Sequence, residues 1–235
     1  MNTEQVRYVD NVITSRHSVR AFLDTPVAMQ TIHDILAVAC RAPSGTNTQP
    51  WKVYVVTGNK RAEMINRVCS AQIELLAKPE LRQHYSETFA YYPETWISPY
   101  IGRRRENGWG LYGLLGIQKT DKDKMAAQQL RNFQLFDAPV ALCFTVNTVM
   151  GVGAKMDIAM MMQNVMLAAK ARGLDTCPQA AWNHFHGIVL EILGAPEDEE
   201  LVCTIALGYA DPEHIVNSFI TPREAVENFT VFVDQ

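Results

Sequence analysis

From Ala154 to Arg172 the chain carries apolar residues on nearly every side of a helix, closed by Gly173 at the position that favours a left-handed turn. A helix of that kind has to be covered on most sides, either in a core or against another subunit. It is not a membrane span: its most apolar part, Ile158 to Ala169, contains Gln163 and Asn164 and is too short. Short apolar runs supply the rest of the frame. Lys52–Thr57 (KVYVVT), Val140–Val146 (VALCFTV) and Leu201–Leu207 (LVCTIAL) read as strands. Phe229–Val233 (FTVFV) is a candidate strand at the C-terminus. Between them lie helical periodicities. Val6, Val9, Val12 and Ile13 form one face; Ile32, Ile35, Leu36, Ala39 and Cys40 form another, stopped by Pro43. Residues 61–76 and Asn183–Leu193 also read as helical, the latter ended by Gly194. Strands separated by helices predict an α+β layered fold.

Residues 84–120 fit neither period. They mix Tyr91, Tyr92, Trp96, Trp109 and Tyr112 with Arg103, Arg104, Arg105 and several glycines. The stretch reads as an insertion or lid within one domain spanning 1–235, since no linker rich in Pro, Gly or Ser divides the chain.

Composition excludes several classes. With 235 residues, 48% hydrophobic and 20% charged, the chain is neither disordered nor fibrous. A net charge of −4 argues against non-specific nucleic-acid binding but leaves room for a small phosphorylated ligand. Five cysteines without a C-x-x-C pair, each in an apolar context, read as buried free thiols of a reducing compartment. The N-terminus has no secretory pattern, so a soluble cytoplasmic protein is expected.

Absent motifs narrow the chemistry. There is no phosphate loop of the Walker type and no nucleophile elbow, and Gly151-Val152-Gly153 lacks the third glycine of a dinucleotide fingerprint. His184 and His186, two apart, face different sides of a helix, so no metal site is expected there. What remains is two dense segments. In Arg16-His17-Ser18-Val19-Arg20, arginines four apart and a hydroxyl can converge on an anionic oxygen ligand, phosphate above all. Alone, such a segment is equally a solvated charged turn. In Pro43-Ser44-Gly45-Thr46-Asn47-Thr48-Gln49-Pro50-Trp51, small polar side chains sit between two prolines, and Gly45 permits close backbone approach to a flat ligand. Alone, it is an ordinary turn.

Taken together, R-x-S-x-R, an amphipathic helix and A-P-S-x-x-N-x-Q-P-W resemble the FMN-dependent nitroreductase family, on Arg16, Ser18, Arg20, Ala42, Pro43, Ser44, Asn47, Gln49, Pro50 and Trp51. Asp137-Ala138-Pro139, Gly173-Leu174-Asp175, Pro178 and Ala206-Leu207-Gly208-Tyr209 extend the resemblance over nearly the whole chain. The lid resembles the branch of nitrobenzoate-type reductases.

The resemblance implies a three-layer α+β fold with a central, mainly antiparallel sheet flanked by helices. It also implies an intertwined homodimer with two FMN molecules at the subunit interface. Arg16, His17 and Ser18 would hold phosphate and ribityl, with Arg223 reaching the phosphate. Arg20 would lie at the pyrimidine edge and favour the anionic reduced flavin. Pro43, Ser44 and Gly45 would line the ring, with Asn47 beside it and Arg131 and Gln134 presenting polar groups. Pro178, Gln179, Ala180 and Ala181 would form a loop with backbone N–H groups near N5 and O4, at a point where relatives commonly carry Glu-Gly.

The implied reaction passes electrons from NAD(P)H to a nitroaromatic or quinone-like acceptor, the two taking turns at one flavin. No side-chain nucleophile is needed, which fits the missing motifs. Trp96, Trp109 and Tyr112 would select flat acceptors, or else pack a dimer interface. Alternatives are a reductive dehalogenase on the same fold and a non-catalytic FMN-binding protein. The two dense segments are expected to fold together around one flavin.

Overall fold

A computed structural model describes residues 2–233 of the chain. Four strands form one sheet: β1 (Lys52–Val56), β2 (Val140–Asn147), β3 (Asp175–Gln179) and β4 (Glu199–Gly208). Their order across the sheet is β1-β2-β4-β3, and every pair is antiparallel. Beyond β3, Ser18 adds a parallel bridge to Thr176, so the first arginine-rich segment lies along that edge.

Helices cover both faces. α2 (Met29–Ala39) and α6 (Val152–Lys170) pack on one side with Leu142, Phe144, Ile205 and Leu207. α3 (Gly58–Ala77), α5 (Lys122–Phe133) and α7 (His186–Leu193) pack on the other with Ala141, Cys143 and Ala206. This double cover is why β2 and β4 read as continuous apolar runs rather than alternating ones. Nearly every residue of either strand is buried, and a single-faced sheet would have left every second one polar. α1 (Thr3–Ser15), started by a capping box between Asn2 and Gln5, buries none of its residues.

The expected helices and the three internal strands are present, and the architecture is the layered α+β one. Four readings need correction. Phe229–Val233 forms no strand; its apolar side chains stand exposed, because β2 and β4 are already paired on both sides and the tail reaches neither sheet edge. Asp175–Gln179, where the sequence predicts no strand and the resemblance implies a loop from Pro178 to Ala181, is strand β3. Its Pro178 disguises it in the sequence, and an edge position is where a strand tolerates a residue without an N–H. Within 84–120, residues Tyr100–Leu114 form a helix, α4, whose glycines and missing apolar face hide its period. One of those glycines has a packing reason: a Cβ on Gly110 would come within 2.8 Å of the Phe219 ring. Lastly, α5, which carries Arg131 and ends beside Gln134, has no counterpart among the expected elements.

Candidate active site

At the end of α1 the chain turns extended at Arg16 and runs beside β3. The Val19 N–H donates to the Thr176 carbonyl at 3.1 Å. The two-residue alternation of extended backbone buries Val19 and Ala21 and leaves Arg16, Ser18 and Arg20 on the other side, each half-buried. All three act on one group, the Cys177 thiol of β3. Burial pushes that thiol up to about 11, against the opposing pull of Arg20, Ser18 and Arg16.

Asn217 clasps this strand in place. Its Oδ1 accepts from the N–H groups of Arg20 (2.8 Å) and Ala21 (3.2 Å), and its Nδ2 donates to the carbonyls of Ala21 (2.8 Å) and Asp211 (2.9 Å). Sequence reading missed Asn217, because nothing in its local pattern separates it from any turn asparagine.

Charge and hydrogen bonding here are unbalanced. Burial, and then the neighbouring Arg223 guanidinium, disfavour the charged form of Arg16. Neither Arg16, Arg20 nor Arg223 meets a carboxylate among the described residues. Arg223 instead folds back on the Thr221 and Pro222 carbonyls (3.1 and 2.9 Å). Among the described residues, three buried side-chain polar atoms lack a partner: His17 Nε2, Thr176 Oγ1 and Gln179 Oε1. All three belong to this strand pair. Each orphan costs about 1–3 kcal/mol, and two adjacent cations cost more, so the arrangement fits an absent polar anion.

Pro178 and Gln179 close β3, and Ala180 and Ala181 open a 3₁₀ turn, Ala180–Phe185. Gln179 Nε2 donates to the Asn132 carbonyl at 2.6 Å, and Trp182 Nε1 donates to the same oxygen at 3.2 Å. Arg131 is gripped by the Asp137 carboxylate (2.9 and 2.5 Å) and donates to Gln134 Oε1 at 3.0 Å. This pairing with Arg131 holds the Asp137 carboxyl below its ordinary range. Leu135, Phe136 and Asp137 all have positive φ, and the Phe136 carbonyl accepts the Phe22 N–H at 3.0 Å. Arg131 and Gln134 are thus joined through this tight loop to the end of the arginine strand.

The second dense segment is exposed and strained. Thr46, Asn47 and Gln49 have φ of 49°, 60° and 48°, a costly conformation for a β-branched threonine. Ser44 Oγ accepts the Gln49 N–H at 2.9 Å, and Asp157 Oδ2 of α6 accepts the Gly45 N–H at 3.2 Å. A Cβ on Gly45 would meet nothing within 4 Å, so the chain's own packing does not demand glycine there.

The two segments do not fold together within one chain, contrary to expectation. Ser18 is level with Leu207 through Thr176, whereas Lys52, at the exit of the second segment, is level with Leu201 on the far edge. Four strand spacings of ~4.8 Å and six steps of ~3.3 Å put them roughly 28 Å apart, at opposite corners of the sheet. The long helix gives a similar answer. Asp157 holds Gly45 near its start, while Ser15 lies by Lys170 at its end, about 20 Å along the axis.

The lid aromatics stack within the lid. Trp96 meets Tyr92 (5.5 Å) and the Arg104 guanidinium (4.8 Å), and Trp109 meets Tyr112 (5.8 Å). α4 is tied to the Arg223 segment by the Arg103–Glu224 ion pair at 2.9 Å, across a cavity of about 1150 Å³ that Arg223 helps to line. No cluster of three or more His, Cys, Asp or Glu able to hold a metal occurs among the described residues, and none of their helices is long and apolar enough to cross a membrane.

The chain is 38% identical to the chloronitrobenzene nitroreductase of Comamonas testosteroni, over 97% of this chain and 98% of that one. It is 36% identical to a 4-nitrobenzoate reductase of Pseudomonas putida, over 95% of each. The crystal structure of the FMN- and NADPH-dependent nitroreductase NfnB from Sphigopyxis sp. strain HMH superposes with a TM-score of 0.89 at 33% identity, covering 97% of this chain and 99% of that one. The nitroreductase family model matches residues 13–209, and with relatives this similar end to end, the chain belongs to the nitroreductase family.

Proposed function

We propose that the protein is an FMN-dependent oxidoreductase passing electrons from NAD(P)H to nitroaromatic or quinone-like acceptors. It works as a homodimer in which each flavin is held between two protomers. The carrying observation is the pair of carboxylate-free guanidinium groups, Arg16 and Arg223, beside the orphaned atoms of His17, Thr176 and Gln179. Among the described residues nothing balances them, and a phosphate with a hydroxylated tail would. The named activities of the relatives point the same way.

Bound there, FMN would supply the electron relay between donor and acceptor. The chain's own residues bind and orient. Arg16 and Arg223 would neutralise the phosphate, with His17 and Ser18 along the tail. Arg20, whose backbone N–H is held by Asn217, would set a positive charge at the ring's pyrimidine edge and favour the anionic reduced form. Arg131 and Gln134 would present polar groups to the ring, and the backbone of Pro178–Ala181 would approach its reactive side. Because Ser18 and Gly45 sit at opposite corners, Pro43, Ser44, Gly45 and Asn47 reach this flavin from the partner protomer. The strain in 46–49 is that of a segment shaped for a neighbour and a ligand rather than for its own chain. Residues 84–120 serve as the lid, with Trp96, Trp109 and Tyr112 selecting flat acceptors after the donor has left. Five unpaired cysteines suit the cytoplasm.

An absorbance spectrum of the purified protein, followed by anaerobic NAD(P)H titration and addition of 4-nitrobenzoate, tests this. A flavin spectrum that bleaches with donor and returns with the nitroarene is expected. Colourless protein that refuses added FMN overturns the reading, and bound flavin that no donor reduces overturns the catalytic part.

A further inference from the structure

A second cavity, of about 520 Å³, lies behind the Ala180–Phe185 turn, between α3, α5 and the 3₁₀ turn Pro79–His84. Ala181 of the proposed flavin loop contributes to its lining, and none of Arg16, Ser18, Arg20, Arg131 or Arg223 does. Its walls are Leu75, Leu76, Tyr85 and Phe133. The aromatic side is braced from behind: Phe185 packs on Tyr85 at 5.0 Å and on Phe133 at 5.1 Å. A flat ring would therefore meet a fixed aromatic wall rather than a mobile one.

The rim carries a cation with no partner. Arg82 meets no carboxylate among the described residues, although acids are close in sequence. Glu80, two residues away, makes no ion pair with it, and Glu87, five residues on, is taken by His184 Nε2 at 3.3 Å. The remaining polar lining is the amides Gln72, Gln129 and Asn132, which can donate hydrogen bonds and add no negative charge, together with His184, whose Nε2 is already engaged by Glu87. An apolar, partly aromatic chamber of ordinary ligand size, with one uncompensated guanidinium at its mouth, selects for a ring bearing a single negative charge.

We propose that this cavity is a binding subsite for a small aromatic monocarboxylate, with its ring against Tyr85 and Phe133 and its carboxylate on Arg82. The inference goes beyond the redox reading and does not depend on it. The subsite abuts the proposed flavin loop all the same. Asn132, on its wall, is the residue whose carbonyl holds Gln179 and Trp182. Occupancy by an aromatic acid, substrate or product alike, is thereby felt at the end of β3.

Calorimetric titration of the purified protein with benzoate, and separately with neutral benzamide, tests the proposal without any turnover. Benzoate is expected to bind about tenfold more tightly than benzamide. Arg82→Gln, a change at an exposed position, should abolish that preference. Leu76→Asp, which sets a negative charge at the mouth, should weaken benzoate more than benzamide. The proposal is overturned if millimolar benzoate gives no binding heat, or if the two ligands bind alike. It is overturned equally if the preference survives Arg82→Gln, which would put the carboxylate elsewhere, the flavin face included. The flavin and turnover experiments above are scored independently, so failure of one leaves the other readable.

Discussion

A half-buried guanidinium beside a second one is unstable company unless an anion joins them, and this makes Arg16 the most informative side chain in the molecule. Arg16→Ala or Arg223→Ala should weaken FMN binding by roughly 1.5–3 kcal/mol, a loss of about 10- to 150-fold in affinity by fluorescence titration. The flavin-free protein should meanwhile lose no stability from Arg16→Ala, because the substitution also removes repulsion. Unchanged flavin affinity would remove that residue from the phosphate site. The thiols give a second residue-level test. Cys143 and Cys203 are pushed up to about 12 by burial, and Cys177 to about 11, whereas Cys40 is exposed. A thiol reagent near neutral pH should show one fast phase that Cys40→Ser eliminates, since only accessible thiolate reacts. A fast phase surviving Cys40→Ser would contradict the packing around the sheet.

Secondary elements were legible in the sequence where their period matched their burial, and hidden where function or an edge position altered the pattern. α2 shows its face because Ile32, Ile35 and Ala39 all point into the core. β2 and β4 show as apolar runs because helices cover both sides. β3 does not, because Asp-Thr-Cys-Pro-Gln carries a proline and polar ends where the site needs them. α4 is invisible because none of its residues is buried and its period has nothing to report. The arginine and Pro43–Pro50 motifs were legible as chemistry, but their placement at opposite corners was not, since it depends on strand order. Thr176 was missed for the same reason, and Asn217 because its local pattern is that of any turn asparagine.

Two predictions belong at the element scale. Gly208 ends β4 where a Cβ would come within 2.7 Å of the Pro139 ring, so Gly208→Ala should cost about 1–3 kcal/mol, read as a lowered urea midpoint. At the other end of the sheet, burial alone would raise the Glu199 carboxyl. Hydrogen bonds from Lys52, Thr145 and Tyr54 outweigh it and hold the group below its ordinary range. Its contribution is therefore complete above the unfolded carboxylate pKa of about 4.3 and is lost as pH falls through the lower folded value. Glu199→Gln should flatten that part of the acid limb of stability against pH, and an unaltered limb would contradict the cluster.

The whole chain leaves an apolar side uncovered. α1 exposes Val6, Val9 and Ile13 at 45–47%, and the adjoining α6 exposes Met156 and Met160. Exposed apolar side chains of this kind are what the proposed homodimer would cover. Sedimentation should give twice 26.4 kDa, and Val9→Glu with Ile13→Glu should yield monomers that have also lost FMN. Folded mutant monomers that keep their flavin would put the whole site in one chain. The sharing of a flavin between protomers is best tested by subunit mixing. Arg16→Ala/Arg20→Ala chains and Ser44→Ala/Asn47→Ala chains, each poor in FMN alone, are unfolded together, refolded and titrated with flavin. If each site takes its arginine strand from one protomer and its Ser44–Asn47 loop from the other, the mixed dimer regains one intact site, and flavin content and nitroarene turnover return in part. If mixing restores neither, both segments serve a flavin from the same chain, and the shared-site account is wrong.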